Sequence, residues 1–250
     1  MFTIINHKGK TFKCDLDKPI DISIPLRASK DNLSCWYVDP PRFEAVINGD
    51  FIGDVKRGGS VNFRNIFFNP HGHGTHTECV GHISKEPYTI NQCLKKFFFI
   101  CEVVTVLPEE FPNSDHVITK KIIQNVLNEK RPEALAIRTV SNPVGKMNMQ
   151  YSDTNPPYVH HEAMKFIVSL GIEHFLIDMP SVDKEKDDGK LAAHHAFWEY
   201  PHNTQLHRTI TELIYIPNTI LDGSYLLNLQ VASFENDASP SKPVLFQLVH

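Results

Sequence analysis

A short segment of the chain concentrates side chains that commonly bind metal ions. Residues 69–82 read NPHGHGTHTECVGH, and the candidate ligands within them are His71, His73, His76, Glu78 and His82. Side chains at positions i and i+2 of an extended chain point to the same face, so His76 and Glu78 are predicted to converge, and His82 has the same parity. Histidine combined with a carboxylate suits zinc, manganese or iron(II) better than magnesium or calcium. The segment therefore predicts a transition-metal site.

Two glycines affect how an upstream histidine reaches the same point. His71 has the opposite parity to His76, and Gly72 and Gly74 can supply the backbone turn that brings either His71 or His73 round. Spacing alone leaves both choices open. It also leaves the alternative of a histidine-rich glycine loop on the surface.

Composition places the chain among globular proteins. Of 250 residues, 41% are hydrophobic and 22% charged, and 25 Lys+Arg against 29 Asp+Glu give a net charge of −4. There is no basic surplus for nucleic acid, and no apolar run approaches the ~20 residues that span a membrane. The five cysteines form no C-x-x-C pair and the N-terminus lacks a signal-peptide core. We therefore expect a cytoplasmic protein without a disulfide framework, and with neither nucleic-acid nor membrane partners.

Strand and helix patterns alternate along the chain, which predicts an α/β fold with a mixed β-sheet flanked by helices. Helical spacing predicts one helix after Thr119 and another over residues 160–170. The charge-dense segment 183–190 is predicted to be an exposed loop. Strands are predicted at 2–5, 11–14, 19–26, 61–68, 97–107, 134–140, 175–178, 210–216, 225–231 and 244–249.

The motif also carries a family resemblance. Residues 74–78 (GTHTE), followed by His82, resemble the pattern His-x-Gly-Thr-His-x-Asp-x-Pro-x-His of the metal-dependent cyclase family. This family includes the bacterial kynurenine formamidases of tryptophan catabolism. Residues 178–183 and His194 are similar to the family's Asp-x-x-Ser-x-Asp stretch and its downstream metal histidine. Further similar features are Glu212, the turn at 223–225 and the closing strand at 236–245, so the resemblance runs from about residue 19 to the end.

Three positions depart from the family pattern. Gly72 stands where the family has its first histidine, so that ligand must come from His71 or His73, or be absent. Glu78 replaces an aspartate and Val80 replaces a proline. The chain is therefore interpreted as a divergent member.

The resemblance implies a single domain over residues 1–250 with the family's swivelling α/β fold. It implies one or two divalent ions, Zn2+ or Mn2+, and His82 as the general acid/base. The implied metal ligands, with His71 as first candidate for the missing histidine, are His71, His76, Glu78, His194 and Glu212.

The candidate metal site and the family resemblance together imply a metal-dependent amide hydrolase that uses a metal-activated water. The resemblance implies an aryl formamide, such as N-formylkynurenine, or a related cyclic amide as the small-molecule substrate. Trp36, Tyr37 and Trp198 are candidates to stack on an aromatic ring. A catalytically degenerate binding or structural member of the same family is the alternative, because Gly72 replaces a ligand. The family also implies a homodimer or homotetramer with a pocket partly built by a neighbouring subunit.

Overall fold

The position of the main sheet follows from strands that are apolar on both faces. The computed structural model describes residues 1–249. Three almost completely buried strands, Phe98–Val106, Ala134–Thr139 and His174–Ile177, pair in parallel at the centre. Continuous burial of this kind is typical of parallel strands covered on both sides. The strands predicted over 97–107 and 134–140 are thereby confirmed.

The elements are numbered in chain order. The helices are α1 (Pro70–His73), α2 (Ile90–Cys93), α3 (Lys120–Leu127), α4 (His161–Ser169) and α5 (Ala192–Trp198). The strands are β1 (Phe2–His7), β2 (Lys10–Asp15), β3 (Ile20–Asp21), β4 (Arg42–Ala45), β5 (Ile47–Asn48), β6 (Phe51–Ile52), β7 (Arg64–Phe67), β8 (His76–Glu78), β9 (Phe98–Val106), β10 (Glu109–Glu110), β11 (His116–Ile118), β12 (Ala134–Thr139), β13 (Tyr158–Val159), β14 (His174–Ile177), β15 (Thr209–Glu212), β16 (Gly223–Asn228), β17 (Ala238–Pro240) and β18 (Val244–Val249).

The main sheet is mixed, as the sequence predicts. Its strand order is β1-β2-β18-β16-β9-β12-β14-β15-β8-β17, with β3 also paired to β18. Strands β9, β12, β14 and β15 run parallel, and the strands on either side join them in antiparallel pairs. The short strand β8 therefore lies between β15 and β17 near one edge of the sheet.

Side-chain alternation divides the core between the two faces of this sheet. On one face, Leu135 and Ile137 of β12 pack in a cluster with buried residues of α3, α4 and α5. On the other face, Ala134 and Ala136 join a second cluster that includes Ile90 of α2. Within residues 1–249, no helix is long and apolar enough to cross a membrane.

The predicted helices and the first two predicted strands are confirmed, whereas several other predicted strands are shorter than expected. Helix α3 begins after Thr119, and α4 ends before Gly171, which has a left-handed φ of +79°. In the segment 19–26 only Ile20–Asp21 forms a strand, although Ile22 and Ile24 are buried. In the segment 61–68 the strand is limited to Arg64–Phe67.

Residues 42–67 form an arm that packs mainly on itself. Strand β4 pairs with β7, and β5 pairs with β6, apart from the main sheet. The arm contributes no side chain to the buried apolar core of residues 1–249. Its exposed large apolar residues are Ile47, Phe51, Val55, Val61, Phe63, Ile66 and Phe67.

A buried ion pair joins the carboxyl ends of β12 and β14. Asp178, which follows β14, accepts hydrogen bonds from the Thr139 backbone N–H at 2.9 Å and from Lys146 Nζ at 2.7 Å. Asp178 is 1% exposed and Lys146 is 7% exposed. This pair fixes the start of the segment 178–183, which continues towards the histidine cluster.

Replacing Lys146 by Met is expected to lower the free energy of unfolding by about 3–5 kcal/mol, because Asp178 would remain buried without its partner. Chemical denaturation measures the change. Lys165→Met is the matched control, since Lys165 pairs with Glu162 at 2.8 Å on the exposed surface of α4 and its loss should matter little. Similar losses in both variants would contradict a special role for the buried pair.

Candidate metal centre

Three short elements carry the histidine-rich segment to the edge of the sheet. Helix α1 begins at Pro70, and the side chain of its N-cap residue, Asn69, accepts a hydrogen bond from the Gly72 N–H at 3.1 Å. Proline is well suited to the first position of a helix. Strand β8 follows, and a 3-10 turn, Val80–His82, closes the segment.

Pairing of β8 with β15 places two carboxylates beside the histidines. His76 lies opposite Glu212 in the antiparallel register, and His76 Nε2 is 3.4 Å from Glu212 Oε2. His76 and Glu78 belong to one cluster of ligand atoms, as alternation along β8 predicts. His82 also reaches the cluster, but from the 3-10 turn, because β8 ends at Glu78. His82 therefore owes its position to the 3-10 turn and not, as predicted, to the alternation of side chains along a strand.

Glu78 lies at the centre of the cluster and is fully buried. Its Oε2 is 3.2 Å from His71 Nδ1 and 3.8 Å from His82 Nδ1, and its Oε1 is 3.1 Å from His194 Nε2. Burial raises the pKa of Glu78, but the neighbouring His82, His194 and His71 outweigh it and hold the pKa well below its usual value. The carboxylate is therefore ionised at neutral pH.

The second-half residues converge on the same point. Glu212 Oε1 accepts a hydrogen bond from the Val182 N–H at 2.9 Å and lies 3.8 Å from His194 Nε2. The structure thus brings together all five residues that the resemblance suggests as ligands, which are His71, His76, Glu78, His194 and Glu212.

An outer partner fixes the ring orientation of His194 and of His76. His194 Nδ1 is 2.6 Å from Asp183 Oδ2, and Asp183 also accepts the backbone N–H groups of Ala193 and His194. His76 Nδ1 is 3.1 Å from the Gly74 carbonyl. Each ring therefore directs its Nε2 towards the buried carboxylates, an arrangement typical of metal-ligating histidines.

The prediction of an exposed loop over 183–190 was wrong at its first residue. Asp183 is only 7% exposed, because its carboxylate caps the start of α5 and holds His194. Burial raises the pKa of Asp183, but its hydrogen bonds and its attraction to His194 outweigh burial and lower the pKa.

The structure separates the two histidines that spacing left open. His71 faces Glu78, whereas His73 Nε2 is 2.8 Å from the Asp39 carbonyl and its Nδ1 accepts the Asn69 N–H at 2.8 Å. Two residues along a helix differ in direction by roughly 200°, since a turn takes about 3.6 residues. Only one of the two side chains on α1 can therefore face the cluster, and it is His71.

Sequence reasoning missed Asp237, which precedes β17. Its Oδ2 lies 2.9 Å from His71 Nε2 and 3.2 Å from His82 Nδ1. Burial raises the pKa of Asp237, but the bonds to the two histidines outweigh it and lower the pKa. A single aspartate in a loop gives no periodic signal, and only the pairing of β17 with β8 brings it to the site.

The donor set and its unsatisfied atoms fit a divalent metal ion. Within residues 1–249, His76 Nε2 and Glu78 Oε2 are buried without a well-aligned hydrogen-bond partner, although buried polar atoms are normally satisfied. Glu78 belongs to two groups of ligand atoms that lie within 4.8 Å of one another, one with His71 and His76 and one with His82 and His194. Imidazole and carboxylate donors of this kind suit Zn2+ or Mn2+.

A cavity of about 290 Å³ opens beside the histidines. Trp36 lines it, as do His71, His82, His194 and Glu212. Tyr37 is 63% exposed, and its hydroxyl lies 2.9 Å from Asp153 Oδ1 rather than in the cavity wall.

The structure corrects the expectation that Trp198 stacks on a substrate. Trp198 is fully buried on the inner face of α5, and its indole N–H donates to the Arg208 carbonyl at 2.9 Å. Its ring centroid is 5.6 Å from that of His194. Trp198 therefore supports His194 from behind instead of facing the cavity.

Comparisons with known proteins agree with this architecture. Residues 20–184 match the family model named Cyclase. The chain is 29% identical to kynurenine formamidase of Bacillus cereus over 229 residues, covering 90% of this chain and 96% of the relative. It is 28% identical to kynurenine formamidase of Bacillus anthracis over 231 residues, covering 91% and 97%.

Solved structures share the fold at low sequence identity. Isatin hydrolase A from Labrenzia aggregata superposes with a TM-score of 0.65 at 15% identity, covering 92% of this chain and 93% of that one. Isatin hydrolase A from Ralstonia solanacearum gives 0.65 at 13% identity, covering 92% and 91%. These matches confirm the predicted mixed α/β fold.

Replacing His71 by Ala is expected to weaken metal binding by more than about 10–100-fold. A loss of about 10–100-fold is typical when a residue that hydrogen-bonds to a metal ligand is removed, and here the ligand itself is lost. His73→Ala is the matched control and should retain metal as the wild type does, since its ring faces Asp39. Elemental analysis after dialysis against a competing chelator measures both. Equal, small effects would mean that the site closes without His71.

Proposed function

This chain belongs to the Cyclase family, and we propose that it is a metal-dependent hydrolase of an amide C–N bond other than a peptide bond. The observation that carries this proposal is the pair of buried carboxylates, Glu78 and Glu212, set among histidine nitrogens beside a cavity. The similarity to kynurenine formamidases over 90% of the chain supports the same class of reaction.

Five residues would hold the metal, which we propose to be one or two Zn2+ or Mn2+ ions: His71, His76, Glu78, His194 and Glu212. A divalent ion bound there supplies Lewis-acid polarisation of an amide carbonyl and makes water nucleophilic at neutral pH. The buried carboxylates and the fixed rings keep this geometry ready before substrate binds.

We assign the proton transfer to His82. It lines the cavity, its side chain is 29% exposed, and its Nδ1 is 3.2 Å from Asp237 Oδ2. Among residues 1–249 no hydrogen bond engages its Nε2. This nitrogen can therefore accept a proton from the attacking water and return it to the leaving amide nitrogen.

The size of the cavity and an aromatic wall suggest the substrate class. A volume of about 290 Å³ is near the lower end of the ~300–1,000 Å³ typical of small-molecule sites, so it suits a compact substrate. Trp36, which lines the cavity, adopts a left-handed φ of +61°. This conformation is unfavourable for a residue with a side chain and persists only where the surrounding structure holds it, as is common in ligand-binding sites. The indole ring is therefore held at the cavity wall, where an aromatic substrate can stack on it. We propose an aryl formamide, such as N-formylkynurenine, or a fused cyclic amide, such as isatin.

The test is a screen of formyl-anilides, N-formylkynurenine and cyclic amides with zinc- or manganese-loaded protein. Elemental analysis should give at least one divalent ion per chain, and turnover should require that ion. Stoichiometry below about a tenth of an equivalent, even after metal is added, would refute the metal-dependent mechanism. Full loading with no turnover across the panel would favour a binding protein of the same family.

His82→Gln is expected to lower kcat by about 10²–10⁴-fold, the usual contribution of a general acid/base. Metal content should stay near that of the wild type. Glu212→Gln is the comparison variant and should lower both kcat and metal content, because an amide binds the ions less well. Loss of metal in His82→Gln would show that His82 is a ligand and not the proton carrier.

We also propose that the chain forms a homo-oligomer, a dimer or tetramer, through its arm. Isolated two-stranded hairpins are marginally stable, and a concentration of exposed apolar residues is typical of an association surface. The arm combines both features, with seven exposed large apolar side chains over residues 47–67.

Light scattering coupled to size exclusion should give at least twice the 28.5 kDa chain mass for the wild type. Phe63→Asp combined with Ile66→Asp should shift the protein towards the monomer. Leu221→Asp, at a residue 73% exposed outside the arm, is the control and should leave the mass unchanged. A monomeric wild type would refute the proposal.

A further inference from the structure

One carboxylate outside the proposed set of ligands contacts two site histidines at once. Asp237 Oδ2 lies 2.9 Å from His71 Nε2 and 3.2 Å from His82 Nδ1. The Asp237 side chain is 26% exposed, so it stands between the buried ligands and the solvent. Asp237 has no direct role in the proposed reaction.

The backbone holds Asp237 in a fixed relation to Glu78. The Cys79 N–H donates to the Asp237 carbonyl at 3.0 Å. The next residue, Ala238, pairs with Glu78 in the β17–β8 register. The β17–β8 pairing therefore fixes the position of the Asp237 backbone relative to that of Glu78, although the two residues are far apart in the sequence.

His71 is held between these two acidic residues. Its Nε2 faces Asp237, and its Nδ1 faces Glu78 Oε2 at 3.2 Å. His194 repeats the arrangement, with Asp183 on its outer nitrogen and Glu78 on its inner one. A hydrogen bond to one imidazole nitrogen fixes which nitrogen keeps its lone pair and how the ring is oriented. Asp237 thus contacts the nitrogen of His71 that faces away from Glu78, as Asp183 does for His194.

The need for such a partner is greater at His71 than at the two other histidines proposed as ligands, His76 and His194. His71 lies on the single turn α1, and its side chain is 20% exposed, whereas those of His76 and His194 are 0% and 2% exposed. Packing alone therefore restrains the His71 ring less than the other two.

The neighbouring position has no room to supply this ligand instead. A Cβ added at Gly72 would lie 2.6 Å from Val38 Cγ2 and 3.2 Å from the Cys35 carbonyl oxygen. Any side chain at position 72 would force these groups to move. The histidine that α1 contributes to the cluster therefore comes from position 71 and not from position 72. The His71 ring is oriented by a contact from outside α1, that with Asp237.

We propose that Asp237 is the positioning residue that turns His71 into a metal ligand. It accepts the Nε2–H of His71, so the Nδ1 lone pair, on the side of Glu78, would be available to bind the metal. The contribution of Asp237 to metal affinity then passes through His71. This inference rests on the proposed metal centre and assigns the orientation of one of its ligands.

The test measures the Zn2+ dissociation constant by competition with a chromophoric chelator, which needs no substrate. Asp237→Ala should weaken binding by about 10–100-fold, as expected for loss of an outer partner. Asp237→Asn should recover most of that loss, because the amide oxygen still accepts the His71 N–H. Glu235→Gln is the control, because Glu235 lies in the same loop but accepts hydrogen bonds from Thr89, Asn91 and Gln92 instead of from the site histidines. The Zn2+ affinity of this variant should match that of the wild type.

A double-mutant cycle then shows whether Asp237 acts through His71. In a His71→Ala background, Asp237→Ala should cause no further loss of Zn2+ affinity. In a His82→Ala background it should still cause the 10–100-fold loss. A full further loss in the His71→Ala background, or none in the His82→Ala background, would overturn the proposal, as would unchanged affinity in Asp237→Ala. A wild type that binds no Zn2+ would instead refute the metal centre itself.

Discussion

The structure depends on keeping one ionised carboxylate, that of Glu78, entirely out of water. An unpaired charge in such a position is severely unfavourable, so the surroundings must supply compensating donors or a cation. Nitrogens of three histidines lie within 3.1–3.8 Å of its two oxygens. Because these histidines come from a helical turn, a 3-10 turn and helix α5, the placement of each element is tied to this one side chain.

A second layer of contacts holds the ligands in place. Asp183 fixes His194, the Gly74 carbonyl faces His76, and the Val182 N–H donates to Glu212. The segment that supplies Asp183 and Val182 begins at Asp178, whose buried pair with Lys146 joins it to the ends of two central strands. The segment 178–183 is therefore attached to the central parallel strands at one end and contacts the candidate ligands at the other. This attachment explains how residues outside helices and strands can hold a defined geometry.

The sequence allowed accurate prediction where the determinants are local. Period-two alternation predicted that His76 and Glu78 converge, and helical spacing predicted α3 and α4. The family resemblance, and not spacing, suggested His194 and Glu212. What could not be predicted depends on long-range pairing: Asp237 reaches the site only through β17.

Burial of individual side chains was also beyond local patterns. Asp183 belongs to a charged stretch, and its burial depends on the start of α5. Trp36 and Trp198 were both candidates to stack on a substrate, yet Trp36 lines the cavity whereas Trp198 is buried and contacts the ring of His194. Composition and periodicity do not show whether a given side chain faces the cavity or the core, because that depends on contacts with distant parts of the chain.

The antiparallel insertion of β8 between β15 and β17 has a consequence for the order of events during folding. His71 and Asp237 are separated by 166 positions in the sequence, and Glu212 and His194 lie between them. Contacts of such long range form late, because a large chain entropy must be lost before they contribute. A nascent chain that has exposed only the motif at 69–82 holds fewer than half of the site's acidic residues. Assembly of the candidate site is thus coupled to the pairing of β15 and β17 with β8, and the full set of donors is present only after these late strands have joined the sheet.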